Sequence, residues 1–477
     1  RSGSGAITFD YQTSSNKIRK FGGGATEADY ATSVSMSSGE AFQFAIDADA
    51  ETLEIYINNT KITDSGGAAG ASGTLDISSL TKPYKIISQI ASGGTVDHTL
   101  VANSADFENN VPSGYKTINT ANLPAPTVTD PSAFFQNVLY TGNGGSQSIT
   151  FAGNSDMQPD FVWIKDRSES DSHALFDSVR GVQKYLQSNT NADEQTSSDG
   201  ITSFNSDGFT IGGNLNPINS SGDSFVAWCW KAGGASSSNS DGDITSTVSV
   251  ASHGGFSIVK YDPGSGGSPG DTVGHGLSRA PNYIILKVLE AVGDANWSVG
   301  NDDIGWTNNI FLNLNNARSA GSGPWNNTAP TSSVFSIGSD RDNDAAYIAY
   351  CFAKTPGLIA CGKYAGNGST DGPFVQVDDG GSGFKPAWVM IKNITSAGNW
   401  FMYDNQRNPF NVTDAYLLAD SSTTEATSGP VQLDFIANGF KLRSTNDATN
   451  GGSDTYVYLA MAENPFGGSG VAQAKAR

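Results

Sequence analysis

Pro159-Asp160-Phe161-Val162-Trp163-Ile164-Lys165 returns as Pro281-Asn282-Tyr283-Ile284-Ile285-Leu286-Lys287 and as Pro386-Ala387-Trp388-Val389-Met390-Ile391-Lys392. Each copy obeys one pattern: Pro, any residue, an aromatic, a β-branched residue, any residue, an aliphatic and Lys. A run so continuously apolar, aromatic and β-branched predicts a central strand buried on both faces. Its threefold recurrence at fixed spacing makes this a repeat protein before any local structure is assigned.

The recurrence extends outward from that strand. About twenty residues upstream each copy has a turn after a tyrosine: Tyr140-Thr141-Gly142-Asn143-Gly144, Tyr261-Asp262-Pro263-Gly264-Ser265-Gly266 and Tyr364-Ala365-Gly366-Asn367-Gly368. Asn-Gly between extended segments signals a hairpin, because both residues accept positive φ. Downstream, Phe204-x-x-x-Gly208-Phe209-x-Ile211 is matched by Phe435-x-x-x-Gly439-Phe440-x-Leu442 and, less fully, by Phe335-Ser336-Ile337-Gly338. An aromatic strand closes each copy, at 225–230, 347–352 and 456–461. Ala174-Leu175-Phe176-Asp177 has counterparts in Trp400-Phe401-Met402-Tyr403-Asp404 and around Trp297. Asp177 and Asp404 each lie twelve residues past the repeated lysine, where the second copy has Val299. A carboxylate recurring at one place predicts a structural role, such as a turn hydrogen bond.

The repeated lysines fall 122 and 105 residues apart, at 165, 287 and 392. A unit that long can bury its own core, so tandem domains are expected rather than short solenoid units. With short strands and a turn signal about every ten residues, each repeat is expected to be an antiparallel β-sandwich. The stretch 180–187 reads as a connector. Repeat 1 is placed at 137–234, repeat 2 at 250–355 and repeat 3 at 356–467, with a tail at 468–477. A Pro-rich linker at 123–136 and a flexible Gly/Ser linker at 235–249 are expected between domains, and a tight join at Thr355-Pro356-Gly357.

Residues 1–122 lack the repeat. Ala41-Phe42-Gln43-Phe44-Ala45-Ile46-Asp47 and Leu53-Glu54-Ile55-Tyr56-Ile57-Asn58-Asn59 alternate in polarity and predict a hairpin with one buried face. Further strands are expected at 84–90 and 99–103. Arg1-Ser2-Gly3-Ser4-Gly5 is neither an initiator Met nor a signal peptide, so a fragment or processed product is expected.

Composition bounds the function. The 477 residues hold 27 Lys+Arg against 47 Asp+Glu, a net charge of −20, and no basic stripe offsets it. That disfavours nucleic acid or an anionic membrane as partner, since both need clustered cations. No apolar run reaches the roughly 18–20 residues that cross a bilayer as a helix. The three Cys are too few for a disulfide framework, and Cys229 and Cys351 read as buried strand thiols. The four His, at 98, 173, 253 and 275, have no metal-site spacing. No P-loop or nucleophile elbow is present. Asp340-Arg341-Asp342-Asn343-Asp344 superficially resembles a calcium loop but lacks its Gly and its final Glu, so a solvated turn is expected. No cofactor, metal or catalytic residue is assigned. Trp306 and Trp325 sit in a Gly-rich stretch without counterparts in the other repeats. Either they are exposed rings for ligand stacking or interface anchoring, or they pack locally.

Two resemblances follow from these residues. The hairpin over 42–59 resembles the later half of a SPRY domain, a concanavalin-like, jelly-roll type of bent β-sandwich used in binding. The stretch Pro112-Ser113-Gly114-Tyr115-Lys116-Thr117-Ile118-Asn119-Thr120-Ala121-Asn122-Leu123-Pro124, running on to the Tyr140 turn, resembles a junction in tail fibres of marine tailed phages. There a SPRY-like module precedes repeats similar to 161–167, 175–181 and 225–231. The resemblance implies an all-β protein at the virion surface, without enzymatic activity, that meets other virion proteins and a glycan or receptor of the host envelope. It also implies a homo-oligomer, commonly a trimer. A capsid-surface fibre or decoration protein is the alternative, and a polysaccharide depolymerase the second.

Overall fold

The structure is a computed structural model that describes residues 7–12, 17–22, 25–31, 42–47, 49–63, 71–78, 110–117, 120–290, 295–427, 429–468 and 474. The strands expected at 84–90 and 99–103 lie outside the described residues. The fold is all-β, made of antiparallel sheets, and the chain divides into two units, 1–122 and 123–477.

In the first unit the expected hairpin forms, with Phe42–Asp47 antiparallel to Thr52–Ile57 and Asp47 opposite Thr52. Asp47 Oδ1 accepts from the amides of Asp49 and Ala50, which tightens the turn. Leu53 and Ile55 are buried, while Phe44, opposite Ile55, is exposed. Thr74–Asp76 pairs with the other side of Thr52–Ile57. The pairing is tied by Glu54, whose carboxylate accepts from Lys61 Nζ, Thr74 Oγ1 and Tyr56 Oη. Strands Ile7–Gln12, Lys17–Gly22 and Ala25–Ala31 form a separate three-stranded sheet.

The second unit holds the repeats, and each contributes the same four-stranded sheet. In repeat 1 a hairpin strand (Ala174–Asp177), the lysine strand (Phe161–Asp166), the closing strand (Ser224–Trp230) and an opening strand (Phe135–Thr141) lie side by side in that order. Repeat 2 repeats the order with Ser298–Asn301, Tyr283–Val288, Tyr347–Phe352 and Phe256–Tyr261. Repeat 3 does so with Trp400–Asp404, Phe384–Asn393, Thr455–Pro465 and Ile359–Ala365. Every residue of the three lysine strands is buried, as their composition predicts.

Alternate residues of those strands face two different cores. Outward, Val162 and Ile164 meet Phe209 and Ile211 of a small second sheet, and Val389 and Ile391 likewise meet Phe440 and Leu442. Each repeat is thus a two-sheet sandwich. Gly208 and Gly439 stand where this outer sheet crosses close: a Cβ would lie 1.9 Å from Ile149 O and 2.0 Å from Val375 O. Only glycine fits, which is why the Gly-Phe pair recurs.

Inward, all three repeats share one core. Phe161, Trp163, Trp228 and Trp230 of repeat 1, Tyr283, Ile285, Tyr350 and Phe352 of repeat 2, and Trp388, Met390, Leu459 and Met461 of repeat 3 belong to a single buried cluster. Phe161 stacks on Tyr350 at 4.1 Å between centroids, and Trp230 meets Trp388 edge-on at 5.6 Å. The repeats are therefore not independent tandem domains. They form one ring.

The Tyr-x-Gly-Asn-Gly turns also differ from expectation. They carry the chain from the inner sheet to the outer one instead of closing a hairpin, since Phe135–Thr141 pairs with Ser224–Trp230 and Gln147–Ile149 with Gly208–Ile211. A buried asparagine holds each turn. Asn219 Oδ1 accepts from Asn143 N and its Nδ2 donates to Gly145 O, and Asn450 repeats this with Asn367 N and Ser369 O.

Neither expected linker is one. Ser237–Asn239 and Ser246–Val250 are strands that extend the inner sheet of repeat 2 past its opening strand. The opening strand of repeat 1 begins at Phe135, inside 123–136, and Pro126 packs beside Gly357. Gly357 N donates to Asp379 Oδ2 and Val128 N to Pro356 O, fixing the expected tight join. The acidic stretch 340–344 is not simply solvated, because Arg341 is fully buried and donates to Asn296 O and Ser298 Oγ.

Burying one large apolar side chain stabilises by about 1.5–3 kcal/mol. The inner face of repeat 1 carries seven: Phe135, Phe161, Trp163, Leu175, Val226, Trp228 and Trp230. Together they amount to roughly 10–20 kcal/mol, as much as the net stability of a whole domain. We expect residues 123–477 to unfold in one calorimetric transition, and residues 123–234 alone to aggregate or lack fixed near-ultraviolet dichroism. Separate melting of the three repeats, or a folded monomeric repeat 1, would refute the shared core.

Candidate functional site

The polar chemistry of the ring lies at its three seams. Asp177 ends the hairpin strand of repeat 1, and its Oδ1 accepts from the amides of Val179 and Arg180. Its Oδ2 accepts from Arg180 Nε at 2.5 Å and from Tyr350 Oη of repeat 2 at 2.8 Å. Arg180 Nη2 donates to Leu175 O. In repeat 3, Asp404 Oδ1 accepts from the amides of Gln406 and Arg407, its Oδ2 accepts from Arg407 Nε and from Trp228 Nε1 of repeat 1 at 3.0 Å, and Arg407 Nη2 donates to Met402 O. Both ion pairs are fully buried. The structural role expected for the recurring aspartates is the observed one.

In repeat 2 the equivalent residue is Asn301, opposite Tyr283 as Asp177 is opposite Phe161. Val299, twelve residues past Lys287, is not the counterpart, because the lysine-to-hairpin connection is two residues longer there than in repeat 1. Asn301 keeps the turn, accepting from Asp303 N and Ile304 N. Its Nδ2 has no hydrogen-bond partner among the described residues. The position on repeat 3 equivalent to Tyr350 and Trp228 is Leu459, which offers no polar atom.

A second set of bonds runs round the ring in one sense. Trp297 Nε1 of repeat 2 donates to Gln187 O of repeat 1, and Trp400 Nε1 of repeat 3 donates to Phe311 O of repeat 2. His173 of repeat 1 closes the circle with its Nε2 2.9 Å from Leu418 O of repeat 3. Trp163 Nε1 donates to His173 Nδ1 at 2.8 Å, so Nε2 carries the proton and donates to Leu418 O. Such a head-to-tail pattern closes because three units complete the rotation. Burial and the nearby Lys165 push the His173 pKa down to about 3. Lys165 and Lys392 are themselves pushed down to about 8 by burial, with ammoniums that donate to backbone carbonyls.

Trp306 and Trp325 do not form an exposed platform. They are 6% and 1% exposed, meet edge-on at 5.3 Å and cover Gly300, whose Cβ would lie 2.4 Å from Trp306. Trp306 Nε1 donates to Asp302 Oδ1. They are local packing of repeat 2, so ligand stacking is not available to them. Cys229, Cys351 and Cys361 are free and buried. Among the described residues no three His, Cys, Asp or Glu side chains are placed to hold a metal ion.

One concavity among the described residues is a cleft of about 350 Å³ at the seam between repeats 1 and 2, lined by Lys184, Asp193, Glu194, Lys260, Leu289, Glu290 and Ala346. Glu194 is pinned there: its amide donates to Leu289 O, and its carboxylate meets Lys184 at 3.0 Å and Arg180 at 3.4 Å. Nothing in the local sequence marks this cleft, because its two walls come from residues 66 to 162 positions apart.

Residues 123–477 thus form an all-β ring of three fused sandwiches, with the two recurring aspartate–arginine pairs built into its seams. The chain belongs to the DUF7483 family, a domain of unknown function, whose model matches residues 130–465. That span runs from the aspartate capping the first turn of the ring to the end of its last strand, so the family unit contains all three repeats. No curated protein and no solved structure matches the chain significantly.

Removing one partner of a buried ion pair costs about 3–5 kcal/mol. Asp177→Ala is expected to lose that much in urea denaturation, and a loss below about 1 kcal/mol would refute the clasp. His173 supplies a pH signature. The unfolded imidazole takes a proton near 6.5 and the folded one near 3, so stability declines as pH falls from 6.5 toward 3. The urea midpoint of the wild type should fall more steeply between pH 7 and 4.5 than that of His173→Gln; equal slopes would remove His173 from the seam's acid response.

Proposed function

We propose that this chain is a structural protein of a tailed-phage virion, a tail-fibre segment that binds a glycan or receptor on the host envelope. One observation carries the reading: the order of modules. A SPRY-like hairpin lies in a unit ending at Asn122, and the three-repeat ring follows directly, in the order of the fibres that residues 112–124 resemble. The build of the ring is compatible with a passive role. The recurring acids and arginines are ion-paired inside it. Repeated sandwiches also offer several loop sets on one rigid body, and a fibre that assembles as a homo-oligomer with other virion proteins multiplies weak contacts into avidity.

The fluorescently labelled chain should bind host cells saturably and slow adsorption of the phage that encodes it. Immunogold labelling should mark the tail. Label on the capsid, or absence of any binding to host cells, would sink the fibre reading, and release of reducing ends from host polysaccharide would replace it with a depolymerase.

A further inference from the structure

The cleft between repeats 1 and 2 is a gap in a seam that is filled elsewhere in the ring. At the seam between repeats 3 and 1, Glu425 occupies the place of Glu194: its amide donates to Arg167 O, as that of Glu194 donates to Leu289 O. Arg167 therefore stands where Leu289 stands, two residues past the repeated lysine. Its guanidinium closes that seam as a fork, Nε to Glu425 Oε2 at 2.9 Å and Nη2 to Oε1 at 2.8 Å. Leu289 has no such group, so Glu194 lacks the fork: the surface-lying Lys184 meets it at one point, 3.0 Å away, and the cleft opens beside the pair.

The opposite wall differs in the same way. Lys260 lies on the opening strand of repeat 2, opposite Ile348. Its counterparts are Leu139, opposite Val226, and Lys363, opposite Val457. Lys363 is committed to Asp303 at 3.6 Å. Lys260 makes no ion pair among the described residues and lines the cleft instead, as does the exposed Glu290. Of the three seams, this one combines a glutamate that no arginine fork closes, met by Lys184 at 3.0 Å and Arg180 at 3.4 Å, with the ammonium of Lys260, which has no ion pair among the described residues.

We propose that this cleft binds a saccharide unit, held by Glu194, Lys260 and Glu290. A vicinal diol presents two O–H donors side by side and can take the place before Glu194 that the Arg167 fork takes before Glu425. Hydroxyl oxygens also accept from Lys260, and a neutral polyol avoids the repulsion that two lysines would exert on a cation and three acids on an anion. The volume is at the lower end of small-ligand sites, and the polar walls disfavour an apolar guest. The inference rests on the host-recognition reading and specifies its ligand class.

The test uses the full chain on a printed array of bacterial surface oligosaccharides, with calorimetric titration of the best binder and a parallel whole-cell binding assay. Lys260→Ala and Glu290→Gln should each weaken that binder at least tenfold with unchanged Tm. If both bind within twofold of wild type, the cleft is not the site, though recognition stands. Binding to cells without any array signal would overturn the saccharide assignment alone. Binding to neither would overturn the recognition reading together with the cleft.

Discussion

Each repeat has an inner sheet face that it cannot bury by itself. Trp163, Trp228 and Trp230 on one sheet, Tyr283 and Tyr350 on the next, and Trp388 and Leu459 on the third all belong to one cluster. The second sheet of each sandwich covers only the other face. The remaining features of the ring follow from this need: closing three sheets on one another creates three seams, and the polar ends of the hairpin strands are drawn into them. Asp177 and Asp404 enter the interior because the hairpin strands that carry them do, and a carboxylate there needs its arginine.

The approximate symmetry is informative where it fails. The two ionic clasps share their turn, their arginine and a donor from the next repeat in the ring, while the third has Asn301 facing a leucine position. His173 replaces the tryptophans of the other repeats and is held neutral between Trp163 and Leu418 O. The seam between repeats 3 and 1 joins units that are not consecutive in the chain. It carries the bidentate Arg167 and Glu425 pair, the Trp228 to Asp404 bond and the Ser188 to Ala419 bond.

Much of this was legible in the sequence. The lysine strand declared its burial on both faces through unbroken apolar character, and the recurring aspartates marked a turn. The hairpin of the first unit was visible through alternation. Other readings met the limit of composition. For Trp306 and Trp325 the glycine-rich stretch allows exposed rings or local packing alike, and it is the fold that sets them on Gly300. The stretch 235–249 looked like a linker because serine and glycine dominate it, yet backbone pairing with the edge of repeat 2 makes it strand. Composition reports a local preference, and a neighbouring edge or cavity can override it.

The sequence by itself determined the repeat, its strands, its turns and which residues are apolar, because these depend on periods of a few residues and on the conformations single residues allow. It could not reveal what lies against the second face of each buried strand. A separate core for each repeat and one core for all three demand the same buried strand. Only the tertiary structure decided between them, through contacts such as Asp177 with Tyr350 and Trp228 with Asp404, whose partners lie more than 170 residues apart. It also decided the cleft, since a leucine in place of an arginine matters only when the opposing glutamate of another repeat is known.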